Sequence, residues 1–164
     1  MASHDVAIVD SYDIIIGKMS ELKATFNSDV ITRSIFIFVY NTSGDLFLSK
    51  RSEKKFRYPM HWGVSVGGFV DLGEEYIDAA VRELEEELGI VASRSELVFL
   101  TKKLVHQDRH EFISVYRFIT DRMPVINKKE IDSGMFISKQ ELWKMIDNPH
   151  EKIDPYFLEF KEFL

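Results

Sequence analysis

Four glutamates, Glu83, Glu85, Glu86 and Glu87, fall within five positions of this chain. Like charges three or four apart on a helix repel by roughly 0.2–0.5 kcal/mol per pair. Such crowding contributes nothing to a fold, so it calls for a positive partner, and a divalent cation fits. On a helix Glu83, Glu86 and Glu87 stand at i, i+3 and i+4 and converge within one turn, whereas Glu85 points elsewhere, to solvent. Hard cations such as Mg2+ take oxygen ligands, keep several waters and are usually shared with substrate phosphates.

The helix that must carry these carboxylates is legible from its apolar spacing. Ile77, Ala80, Val81, Leu84 and Leu88 recur at helical intervals, and Gly89 follows as a helix-ending glycine. The preceding stretch, residues 67–73, holds three glycines and reads as a loop. Gly67 and Gly68 would let backbone approach a metal or phosphate.

Taken together, Gly68, Glu74 and the run Arg82-Glu83-Leu84-Glu85-Glu86-Glu87-Leu88-Gly89-Ile90 match the Nudix box at every defining position, aliphatic slots included. A chance match has a probability on the order of 10⁻⁷ at ordinary residue usage. The chain therefore resembles Nudix hydrolases over roughly residues 32–147. The resemblance implies an α/β fold, an α/β/α sandwich with a mixed sheet and the box as loop-helix-loop. It also implies Mg2+ (or Mn2+) held by Glu83, Glu86 and Glu87, and water cleaving the diphosphate of a nucleoside diphosphate joined to another group. Arg82 would pair with one of the glutamates and orient it, and Glu74 would support the metal from behind or through water. The general base stays open among the box glutamates, with Glu86 and Glu83 foremost, and Glu111 and Glu130.

A closer resemblance lies in Ser49-Lys50-Arg51-Ser52, Lys55-Phe56, Tyr58-Pro59 and His61 to Val70, together with Asp10, Asp13 and Gly17 near the start. These look like the branch containing isopentenyl-diphosphate isomerases. That chemistry needs a cysteine beside the box and histidine metal ligands. Here Val66 and Gly67 fill the first neighbourhood, Phe69 stands where a histidine is expected, and the chain has no cysteine. The expectation is an isomerase-like hydrolase, with isomerization of a prenyl diphosphate or a non-catalytic nucleotide-sensing module as alternatives. Glu111 matches a catalytic glutamate of that branch.

Residues 51–63 carry four basic and four aromatic side chains, counting His61. Two readings stand: a substrate-facing loop in which Arg51 or Lys55 steadies phosphate, or a solvated loop packed through Tyr58 and Trp62. His106 and His110 are the histidines nearest to a site, and none of the five has the two-histidine spacing of a helical zinc site.

The 164 residues fit one domain. Without cysteine there is no disulfide framework and no thiol nucleophile. Of 27 acidic and 21 basic residues, eight acidic and one basic lie within 71–87, which leaves a near-neutral 19 and 20 elsewhere. Acidity confined to the box argues against nucleic-acid binding, which needs a basic stripe. No signal peptide or membrane-spanning run is apparent, so a cytoplasmic enzyme acting on a small-molecule diphosphate is expected, and a homodimer is compatible with the chain.

Residues 1–30 read as an N-terminal arm or hairpin packed on a Nudix domain of residues 31–164. Strands are predicted over 34–40 and 45–51 as a hairpin, then over 64–70, 98–105, 111–120 and 135–137. Ser138 with Glu141 signals a capping box for a helix over 139–147. Asp154-Pro155 opens a last helix through residue 160.

Overall fold

Residues 31–40, Ile-Thr-Arg-Ser-Ile-Phe-Ile-Phe-Val-Tyr, are almost all β-branched or aromatic, and such side chains suit a pleated strand covered on both faces. A computed structural model describes residues 4–164. Its elements in order are β1 (Asp5–Val9), β2 (Ile15–Ser20), α1 (Glu21–Thr25), β3 (Ile31–Tyr40), β4 (Leu46–Arg51), β5 (Trp62–Gly63), β6 (Val66–Phe69), α2 (Tyr76–Leu88), β7 (Val98–His106), β8 (His110–Ile119), β9 (Ile131–Ile137), α3 (Lys139–Ile146) and α4 (Pro155–Leu158).

All nine strands join one mixed sheet organised on β3. β8 runs parallel to β3 along its whole length, from Ile31 opposite His110 to Tyr40 opposite Ile119. A strand has two edges, so β1, β6 and β4 share the other. β1 pairs near Ile31, β6 from Ser34 to Ile37, and β4 at Tyr40. The segment expected as one strand over 64–70 divides because its partner changes: Gly63 pairs with β4, whereas Val66 to Phe69 pair with β3. The residues expected as an arm begin outside the described residues. From Asp5 onward they form the antiparallel pair β1–β2, bonded to β3 and to the box loop through Leu72 N–H on Asp5 C=O (2.8 Å).

The alternation of β3 builds two cores, one on each face of the sheet. Ile35, Ile37 and Val39 pack with Val66, Val70 and the α2 residues Ala80, Leu84 and Leu88. Phe38 packs on the other face with Leu48, Ile113, Leu142, Phe157 and Phe160. Burial of a leucine side chain contributes about 1.5–3 kcal/mol, so Leu84 and Leu88 fasten the glutamate helix to the sheet. The architecture is the expected α/β/α sandwich. Within the described residues, the last helix is shorter than predicted: α4 ends at Leu158 and Glu159–Phe160 form a turn.

α2 has 13 residues and stops at Gly89, whose left-handed φ of 64° puts its N–H 2.9 Å from Glu85 C=O. The next orphan carbonyls are met from outside the helix. Asn127 N–H donates to Glu87 C=O and Val125 N–H to Leu88 C=O, both at 2.8 Å. This link brings the loop before β9, with Asn127, Lys129 and Glu130, beside the glutamate face.

Candidate active site

A cavity of about 1040 Å³ opens between α2, β6, the 51–58 loop, the β7–β8 turn and the loop before β9. Glu83, Glu86, Glu87, Arg82, Gly67, Gly68, Arg51, Lys55, Glu111 and Glu130, all singled out by sequence, line it. Glu74 does not. It accepts from Arg82 Nε and Nη2 at 2.9 Å each and from Asp71 N–H at 3.0 Å.

The three glutamates of the α2 face differ in environment. Glu87 is buried, Glu83 is nearly so, and Glu86 keeps 56% of its side chain exposed. Burial pushes the Glu83 carboxyl up to about 7 against the opposing pull of Arg82, with Glu86 and Glu130 adding to the rise. Burial, and then Glu83, push Glu87 well above the usual carboxylate range. Gly68 is the reason Glu83 fits at all: a Cβ there would stand 2.1 Å from Glu83 Oε1. A Cβ on Gly67 would lie 3.0 Å from the Phe36 ring.

Arg82 fastens this face. Its Nη1 donates to Glu83 Oε1 (2.7 Å) and reaches Glu86 Oε2 (3.4 Å), and its Nη2 donates to Phe69 C=O (3.0 Å). Among the described residues no three His, Cys, Asp or Glu side chains already surround a metal-sized point. One guanidinium nitrogen of Arg82, Nη1, contacts both Glu83 and Glu86. The donor set itself suits a hard divalent cation: three carboxylates on one helical turn, two of them buried at a cost that a cation relieves.

Facing the acids is a basic wall. Arg51, Lys54, Lys55, Arg57 and Lys129 line the same cavity, with Lys54 and Lys129 exposed. Lys55 is ion-paired to Glu130, Arg57 to Asp108, and Arg51 lies 3.9 Å from Asp154. The supporting loop contains two non-glycine residues in the left-handed region, Tyr58 (φ 46°) and Met60 (φ 60°). Glu111 is buried and fully engaged, with Oε1 held by Arg109 (Nε at 2.7 Å) and Oε2 accepting from Ser34 Oγ. His106 and His110 lie at the β7–β8 turn with Nδ1 atoms 3.0 Å apart and do not line the cavity.

Arg109, Arg57, Lys54 and Lys129 are among the cavity residues that the sequence reading did not single out. Arg109 stacks over Phe69, Cζ to ring centroid 4.4 Å, and Arg57 caps Tyr156. A signal for Arg109 did exist: it stands two residues before Glu111, just ahead of a strand in which alternate side chains share a face.

The NUDIX domain family model matches residues 30–159. This chain belongs to the Nudix family. The Nudix hydrolase is 31% identical over 159 residues to isopentenyl-diphosphate Delta-isomerase 1 of Photorhabdus laumondii, covering 93% of this chain and 90% of that one. It is 32% identical over 138 residues to an uncharacterized Nudix hydrolase of Nostoc, covering 82% and 80%. Its fold is similar to that of DR0079 from Deinococcus radiodurans, with a TM-score of 0.80, 24% identity, and 96% and 98% of the two chains covered. The full-length likeness to an isomerase accords with the branch expected from residues 49–70. Among the described residues of this Nudix hydrolase, no helix is long and apolar enough to cross a membrane.

Proposed function

We propose that this Nudix hydrolase cleaves the diphosphate linkage of a nucleoside-diphosphate-X type substrate by attack of water on phosphorus, with Mg2+ or Mn2+ as cofactor. The observation that carries the reading is the pairing, across one cavity, of a carboxylate-bearing helix face with a basic loop wall. Glu83, Glu86 and Glu87 would hold the cation. When bound, it neutralises phosphoryl charge and acidifies water. Arg82, braced by Glu74, keeps the carboxylates in register. Arg51 and Lys55, with Lys54 and Lys129 beside them, meet the phosphates, and the glycine backbone at Gly67 and Gly68 leaves room for their approach.

Of the candidate bases, Glu111 and Glu130 are each engaged by a cation, Arg109 and Lys55 respectively. Glu86 is the exposed carboxylate with only a 3.4 Å contact to Arg82. On this reading Glu86 takes the proton from water as the oxygen bonds to phosphorus and the bridging P–O bond breaks. Replacing Glu86 by Gln is expected to lower Mg2+-dependent formation of phosphomonoester products from a panel of nucleotide derivatives, read as phosphate after added phosphatase, by about 10²–10⁴-fold with the fold intact. Undiminished release in that variant would overturn the reading.

Isomerization of a prenyl diphosphate is the second reading, favoured by the likeness to the Photorhabdus isomerase. Against it stand the absence of cysteine and the presence of Phe69 under Arg109. Deuterium exchange into isopentenyl diphosphate separates the two.

A further inference from the structure

Glu111 and Arg109 form an ion pair almost sealed from solvent, with side chains 3% and 12% exposed. Buried pairs contribute little net stability, since the cost of removing both charges from water offsets their attraction. The pair therefore needs a reason other than holding the fold together, and its surroundings supply one.

The guanidinium is fixed from several sides. Glu111 Oε1 accepts from Nε and Nη2, and Cζ lies over the Phe69 ring, 4.4 Å from its centroid. Its backbone is clamped by one hydroxyl: Arg109 N–H donates to Tyr156 Oη at 3.0 Å, and Arg109 C=O lies 3.0 Å from the same atom. Nη1 is left without a protein partner. It is not sealed either, because among the described residues the only sealed side-chain N or O atom lacking a partner is Thr32 Oγ1. Arg109 itself lines the cavity. Phe69 joins the two ends of this arrangement. Its ring carries Arg109, and its carbonyl accepts from Arg82, which holds Glu83 and Glu86. A rigid guanidinium with free N–H groups thus stands one residue away from the anchor of the carboxylate face.

We infer that Arg109 is a phosphate-binding residue of the cavity and that Glu111 is its positioning residue rather than the general base. The inference rests on the proposed diphosphate site and adds to it the anion clamp opposite α2. The ligand chemistry is a phosphoryl oxygen of a diphosphate, which a guanidinium meets with directed donors.

The probe is methylenediphosphonate, a non-hydrolysable diphosphate, titrated calorimetrically into the full chain with Mg2+ and again with EDTA. Since Arg109→Gln alone strands a buried carboxylate, the charge-neutral double variant Arg109→Gln/Glu111→Gln is measured beside it, with circular dichroism as the check on folding. Both variants are expected to bind the probe about tenfold to a hundredfold more weakly than the native chain, Arg109→Lys recovering part of the loss. In steady-state hydrolysis Glu111→Gln is expected to raise KM severalfold while the acid limb of its kcat–pH profile stays where it is in the native enzyme. Native affinity in a folded double variant overturns the inference while leaving the hydrolase reading intact. Loss of the acid limb in Glu111→Gln makes Glu111 the base and overturns it likewise. A native chain that neither binds the probe nor forms phosphomonoester products from the nucleotide panel overturns both.

Discussion

The Tyr76 hydroxyl lies 3.0 Å from each carboxylate oxygen of Asp13, and through it the first residue of the glutamate helix is tied to the turn of the β1–β2 hairpin. Arg33 Nε and Lys102 Nζ donate to the same carboxylate at 2.6 and 2.5 Å. Asp13 holds this position with a left-handed φ of 64°. One side chain thus joins the hairpin, β3, α2 and β7.

From that junction, Asp13→Ala is expected to destabilise the protein by about 2–3 kcal/mol, through lost charge-assisted hydrogen bonds and the strain of a left-handed alanine. Asp13→Asn, which tolerates the same backbone and keeps an acceptor, is expected to lose less. Urea denaturation with an unchanged m-value measures both. A native midpoint in the alanine variant would remove the junction's importance.

Gly68→Ala separates stability from chemistry. The new Cβ would overlap Glu83 at Oε1 and Cδ, with Cγ at 2.8 Å, and so force its carboxylate out of a buried place beside Arg82 that burial makes unfavourable for its charge. The thermal midpoint is therefore expected to move by only a few degrees. Hydrolysis is expected to fall by about 10²-fold, because a displacement of this size misplaces a reacting group. A variant that melts far below the native protein, or one that keeps full activity, contradicts this account of Gly68.

Asp154 supplies the pH dependence. It caps α4, its Oδ1 accepting from Tyr156 N–H at 2.9 Å. Burial raises its carboxyl above the usual range, and Arg51 only partly opposes the rise. The folded state therefore holds the proton more tightly than the unfolded chain. This group's contribution is fully present below the ordinary carboxylate pKa and declines as pH rises through the raised value. Asp154→Asn retains the capping oxygen and removes the buried charge. At neutral pH it is expected to be at least as stable as the native chain, with a flatter stability curve from acid to neutral. Melts across that range decide it: a variant weaker at neutral pH and equal at acid pH would show that Arg51 dominates.

The helix over residues 76–88 was legible because its apolar residues repeat at helical spacing and Gly89 ends it. Ser138 and Glu141 marked α3 in the same way, with Ser138 accepting from Glu141 N–H in the structure. Sequence spacing also put Glu83, Glu86 and Glu87 on one face, although their unequal burial depends on Gly68 and on the loop docked at the helix end. What local pattern could not reveal was set by pairing at a distance. Residues 64–70 look like one strand yet serve two partners. Asp13 carried only a likeness to the isomerase branch until Arg33, Tyr76 and Lys102 closed on it from far along the chain. Arg109 sits beside Glu111 in sequence, but its meaning comes from Phe69, forty residues earlier, and from Tyr156 in the last helix.

The three glutamates proposed to hold the cation all ride on one helix that is locked to the sheet and tied at its far end, whereas most of the cavity's basic residues come from the connections at 51–58 and 127–130. Connections tolerate insertion and replacement far better than packed helices do. Descent with modification can therefore rewrite what this scaffold recognises without touching how it breaks a bond. New selectivity is reached by changing two loops, and an ancestor's hydrolytic power passes on intact.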